Sequence, residues 1–303
     1  NDNNVIDNND IREGTVTPAN AIYASGSTAS VAANNSTVTI SNNNIYNYFA
    51  AAIASNGINI SSGNTDWTIS NNKFFQEAAR TQTTGALHTA ITISNTSGNN
   101  FSITGNTIGF AAANGTGTYT LSGSTNTFMG INLSVGTTTA SVAQNNTIAS
   151  ISQTTASTGT NPFIGIYVAS GLTADFTGNT IGSMSATGSI SYTNSTTSTT
   201  SVNAMYNFGS SNWLNVSNNN IGGITAANTN VVPAAANIYG IRTNTAAAAT
   251  FTALNNTIGG TIANSIQSTS TNTGSIVNGI ISTAAVPGIF NNTIRNLSAA
   301  NGT

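Results

Sequence analysis

The chain has 303 residues, with 5 Lys+Arg against 7 Asp+Glu, one His and no Cys. A net charge of −2 with only 4% charged residues leaves no Lys/Arg cluster for nucleic acid or an anionic membrane surface, and no apolar run is long enough to span a bilayer. The absence of Cys excludes disulfides and thiolate-held metal, while a hydrophobic share of 38% sets the chain apart from highly charged disordered segments.

Its polar residues are Asn, Thr, Ser and Gly, which favour turns and strands over helices. The chain opens on "NDNNVIDNNDIREG", without the basic segment and apolar stretch of a secretory leader. That start implies either a cleaved leader or a piece of a longer protein.

The first element in chain order is "VIDNNDI" (5–11), a short apolar run closed by an Asn pair. Next comes "AIY" around Ile22, and then "TVTIS" (37–41), whose period-two alternation reads as a short strand. It runs into "NNNI", ending at Ile45. From there the order repeats: "GIN" at Ile58, "WTIS" (67–70), "NNKF" at Phe74, and so on to "NNTI" at Ile294.

Aligning on the apolar residue after the Asn pair gives Ile11, Ile45, Phe74, Ile108, Ile148, Ile181, Ile221, Ile258 and Ile294, separated by 29 to 40 residues. The Asn two places earlier is Asn9, Asn43, Asn72, Asn106, Asn146, Asn179, Asn219, Asn256 and Asn292. A second column follows a small residue: Ile22, Ile58, Ile91, Ile131, Ile166, Met205, Ile241 and Ile280. A weaker copy, "TNTF" at Phe128, divides one 40-residue interval in two. The segments leading into the next small-residue–Ile site, such as "SATGSISYTNSTTSTTSVN" and "TAANTNVVPAAAN", vary in length and read as loops. No stretch has a helical period with caps.

A unit of about 36 residues cannot bury its apolar positions alone, whereas stacked units can. The pattern predicts an all-β, parallel β-helix of about 9–10 coils. Each coil has three short strands with long loops on one edge, and residues 1–303 form one continuous repeat domain. Coils stacked ~4.8 Å apart superpose the Ile columns as core and the Asn column as an amide ladder. Asn suits the corner because it tolerates left-handed backbone and bonds to its neighbour; the Gly before Ile is expected to supply unusual φ at the other corner.

The repeat, above all "GIYVASGLTADFTGNTIGSM" (165–184), resembles the right-handed parallel β-helix repeats of large secreted surface proteins of Bacteroidetes. The resemblance covers the whole chain. It implies right-handedness and an extracellular, cell-surface location. It is poor for function, since similar repeats occur in polysaccharide lyases and phage tailspikes.

Catalytic chemistry is sparse. Relative to the aligned apolar residue, Asp7, Asp10, Asp66 and Asp175 fall at different phases. Only Asp2, Asp7, Asp10 and Glu13 lie close in sequence; they read as a solvated chain end, with a Ca²⁺ site at Asp7, Asp10 and Glu13 as the sharper alternative. No other cofactor is indicated. His88 is expected on a loop or sheet edge. Lys73, Arg12 and Arg295 are expected to point outward. Tyr23, Tyr167 and Tyr206 share a column with Arg242, and Tyr46 shares another with Phe75. The first could stack on glycans, though packing under loops is the favoured reading. Trp67 and Trp213 are expected at the core edge or under a loop.

Both ends fall within a repeat without a recognisable cap, so the expected partner is another copy, end to end or laterally, or the remainder of a longer array. The sequence thus favours a non-enzymatic extracellular fibre, stalk or sheath element, adhesive through its loops. A carbohydrate-binding or polysaccharide-degrading β-helix is the runner-up. An ice-binding solenoid, hinted at by "TVT" (37–39) and "TYT" (118–120), comes third.

Overall fold

The computed structural model describes residues 2–173, 175–209, 213–244 and 250–300, without the side chains of Val31, Trp213 and Leu214. It is an all-β parallel solenoid. Every strand pairing is parallel and joins one coil to the next; Ile11 pairs with Ile45, Ile45 with Phe74 and Phe74 with Ile108. The strands after the Asn corners form one nine-stranded sheet from Asp10–Ile11 to Thr293–Ile294. Nine strands bound about eight full turns, slightly fewer than the sequence suggests. At ~4.8 Å per coil the rod is ~40 Å long. The one helical element among the described residues is a 3-10 turn, Val31–Ala33.

The strands before the corners form a five-stranded sheet followed by a four-stranded one, linked among the described residues by the bridge Ser141–Thr173. The small-residue–Ile strands form an eight-stranded sheet from Asn20–Ala24 to Val277–Ser282. A fourth face was not expected. Seven strands, from Arg80–Gln82 through Ile151–Thr155 and Ile190–Asn194 to Leu297–Ala299, form a further sheet within the segments read as loops. "SATGSISYTNSTTSTTSVN" contains Ile190–Asn194, and "TAANTNVVPAAAN" carries most of Ile224–Asn228. Much of the unit's extra length is therefore wall rather than loop.

"TNTF" is not an extra corner. Phe128 lies in the same strand as Ile131 and stacks on Phe163, with ring centroids 5.3 Å apart. Each unit is one wide coil, and one apolar cluster runs inside it from Val38 to Ala284.

The "NN" corner divides its work between two residues. The first takes left-handed backbone: Asn42 (φ 57°), Asn71 (57°), Asn145 (55°) and Asn255 (56°). Where the sequence reads "GN", Gly105 (φ 66°) and Gly178 (68°) do the same. The Gly before Ile at the other corner acts differently. Gly57 and Gly240 are not in the left-handed region. A Cβ on Gly240 would sit 2.5 Å from the Gly279 carbonyl oxygen and 2.9 Å from Ile258 Cγ2. The small residue therefore lets the two Ile columns meet; it does not supply an unusual φ.

Candidate functional site

The second Asn of each corner points into the wall and forms an unbroken ladder. Asn146 shows the unit. Its backbone N–H and its Nδ2 both donate to Asn179 Oδ1, each at 3.0 Å, and Nδ2 also donates to the Ile103 carbonyl at 2.9 Å. Its own Oδ1 accepts from the backbone and side chain of Asn106. The amide is completely used and fully buried. The same bonding joins Asn9 to Asn43, Asn43 to Asn72, Asn72 to Asn106, Asn179 to Asn219, Asn219 to Asn256 and Asn256 to Asn292.

The two Ile columns pair in register along the rod. Ile148 meets Ile181, Ile181 meets Ile221, Ile221 meets Ile258 and Ile258 meets Ile294; Ile22 meets Ile58, Ile131 meets Ile166, Ile166 meets Met205 and Met205 meets Ile241, which meets Ile280.

His88 is not on a loop or edge. It is fully buried in the strand Leu87–Ser94, with Nδ1 bonded to Ser55 Oγ and Nε2 to the Tyr119 hydroxyl. The Tyr119 and Tyr48 hydroxyls lie 3.3 Å apart. Burial, with the nearby Arg80 charge second, drives the His88 pKa down to about 3, so the ring is neutral at physiological pH. Burial also raises both tyrosines. Ser55 and His88 contact like a nucleophile and a base, but both are fully buried. The arrangement is a polar cross-link inside the core.

The acids near the start are held separately. Asp7 accepts from Ser41 Oγ and Asn42 Nδ2, and these bonds lower its pKa. Asp10 accepts from Asn44 Nδ2 at 2.7 Å. Glu13 accepts from Asn47 Nδ2, which also reaches Glu77. Among the described residues no three His, Cys, Asp or Glu side chains gather into a metal-holding set. Asp66 (φ 57°) and Asp175 (φ 49°) occupy left-handed turn positions and accept from Asn100 and Asn215 in the next coil. They act as corner residues.

Lys73, Arg12 and Arg295 are exposed. Trp67 is buried in the core and donates from Nε1 to the Asn35 carbonyl, whereas the Trp213 side chain lies outside the described residues. Tyr46 and Phe75 stack at 4.4 Å on the outside of the corner sheet.

The Tyr column is split. Tyr167 pairs with Tyr206 and Tyr206 with Arg242, but Tyr23 is four coils away, with Asn59, Thr92 and Asn132 between. Each long strand here bends at the small residue before Ile. Residues on either side of the bend, such as Ile164 (2% exposed), Tyr206 (2%) and Tyr239 (9%), are buried yet lie outside the core cluster. Side chains of the two arms meet, as Arg242 Nη1 reaches Asn203 Oδ1 and Thr92 Oγ1 donates to Asn56 Oδ1, so the bend is concave to the exterior. At its centre the Arg242 guanidinium carbon sits 4.7 Å from both the Tyr206 and the Tyr239 ring centroids. Tyr167 is half-buried and Phe208 is 52% exposed beside them. Tyr206 is therefore a support rather than an exposed stacking surface. Phe208 and Tyr239, absent from the sequence reading, complete the cluster.

Against protein-family models, curated proteins and solved structures alike, the chain finds no match.

Proposed function

We propose that this chain is a structural element: a stiff solenoid of an extracellular, cell-surface bacterial protein of fibre, stalk or sheath type, which associates coil upon coil. The observation that carries the reading is the ladder from Asn9 to Asn292. It adds two Asn–Asn hydrogen bonds to every interval between coils, buried from Asn43 to Asn256 and part-buried at the two ends, and has no break at which the rod would bend. Charge-poor walls favour close lateral contact as well.

The outer coil faces supply the means of association. On the last coil, Ile289 (45% exposed) and Ile294 (47%) occupy positions that are buried one coil earlier, at Ala253 and Ile258. Association coil upon coil would bury both side chains.

Electron microscopy of undenatured protein tests this. Rods stacked axially into fibres or ordered sheaths, with a repeat near ~4.8 Å along the axis, are expected. Single dispersed rods at every concentration, together with absence of the protein from the fractionated cell surface, would overturn the reading.

A further inference from the structure

The bend around Arg242 holds an unneutralised cation that the solenoid does not need for its own stacking. Neighbouring coils place Thr92, Asn132, Tyr167 and Ile281 in the same column, so a guanidinium is not required there. Among the described residues no Asp or Glu pairs with Arg242. Its Nη1 makes two long hydrogen bonds, 3.3 Å to Asn161 Oδ1 and 3.4 Å to Asn203 Oδ1. Its Nε and Nη2 make none among the described residues. Two tyrosine rings pack against the group, which restricts its rotamers. A planar cation, oriented in advance and with one two-nitrogen edge free, is the geometry that takes a carboxylate bidentately.

The surroundings narrow the ligand class. Backbone donors and acceptors of the eight-stranded sheet are used between coils, so an added peptide strand has no edge to pair with along the rod. What remains are side chains: the half-buried Tyr167 ring, the exposed Phe208 ring and the one Asn161 N–H left after its Oδ1 accepts from Asn203 and Arg242 and its Nδ2 donates to Thr160. An amide N–H donates to a hydroxyl, and aromatic faces lie against sugar rings.

We propose that the bend around Arg242 binds an acidic glycan. A uronate carboxylate takes the open edge of the Arg242 guanidinium while its neighbouring sugar ring rests on Tyr167 or Phe208.

The test is calorimetric titration of the full chain with an oligoglucuronate of about six units and with its methyl ester, which keeps the sugar but removes the charge. The free acid is expected to bind, with added salt weakening it, and the ester to bind at least about tenfold more weakly. Arg242→Lys keeps the charge but not the fork. It is expected to lose about tenfold or more in affinity at an unchanged unfolding midpoint. Phe208→Ala changes only an exposed ring and is expected to weaken binding severalfold without affecting the fold.

The proposal is overturned if the acid does not bind at about 10 mM, if ester and acid bind equally, or if Arg242→Lys binds as the parent does. Tighter binding of a sulfated neutral oligosaccharide overturns the uronate assignment. Equal binding of poly-glutamate overturns the glycan.

Discussion

Asn145 holds left-handed backbone at φ 55°, and that turn directs its neighbour Asn146 into the ladder. The two adjacent asparagines have separate physical tasks, and substitution should separate them. Asn145→Gly should be nearly neutral, as Gly105 and Gly178 already stand at this position in other coils. Asn145→Ala should cost about 1–2 kcal/mol, the left-handed penalty of an ordinary L-residue. Asn146→Ala deletes four side-chain hydrogen bonds in a buried site and should cost on the order of 3–5 kcal/mol. Urea unfolding of the three variants decides; equal costs for the two alanines would refute the division of labour.

Asn146→Asp gives a sharper test of the ladder. A carboxylate still accepts from Asn106 but cannot donate to Asn179 Oδ1 or the Ile103 carbonyl. Burial against those two oxygens raises the folded-state pKa of the new acid above its unfolded value of about 3.9. The variant should therefore lie closest to the parent below about pH 4 and fall further behind as pH rises. Thermal melts of both proteins at pH 3.5 and 7 measure the gap. A pH-independent gap would mean that the amide proton has no role.

His88 should make stability fall in acid. Its folded pKa of about 3 lies below the ordinary 6.5, so its contribution is complete above pH 6.5. Below that, the unfolded chain takes up a proton that the native state refuses until about pH 3. The loss across this window is on the order of 5 kcal/mol for a fully buried ring. His88→Gln cannot titrate, and its stability should vary less between pH 6 and pH 4 than the parent's. Identical slopes in denaturant titrations would rule out His88 as the source.

Gly240 makes room rather than a turn. Ala204 stands at the equivalent place one coil earlier, but a methyl at Gly240 would sit 2.5 Å from the Gly279 carbonyl oxygen, so the backbone must shift and Gly240→Ala should cost about 1–2 kcal/mol. Gly240→Val drives a branched side chain toward Ile258 and the Gly279 carbonyl and should cost about 3 kcal/mol. A destabilised alanine as severe as the valine would point back to backbone conformation.

The corner, the ladder and both Ile columns were legible because each carries one residue type at a fixed phase. The seven-stranded wall was not. Its inward positions hold Gln153, Thr155, Asn194, Asn228 and Ser268 as well as Ile151, Ile190 and Ile224, so the apolar alternation that marks a strand is diluted. Some of these polar groups find partners far along the chain: Asn194 Nδ2 donates to the Ser157 carbonyl and Gln153 Nε2 to Asn126 Oδ1, whereas Ser268 Oγ has none among the described residues. Such bonds join distant residues and leave no local signature. His88 was misplaced for the same reason, since its partners Ser55 and Tyr119 lie 33 and 31 residues away. Of the cluster at the bend, the column shared by Tyr167, Tyr206 and Arg242 was readable. Tyr239 was hidden because it enters from the other arm, three residues before Arg242 on the same strand.

The amides of the ladder all point the same way. In every Asn-to-Asn bond the earlier residue donates and the later residue's Oδ1 accepts, from Asn9 toward Asn292. Asn9 therefore turns an acceptor oxygen to whatever precedes it, and Asn292 turns donors to whatever follows. Two copies meeting like face to like face would set oxygen against oxygen or N–H against N–H. Twofold end contacts are therefore disfavoured, and the rod carries a direction, like an arrow, that every added coil must share.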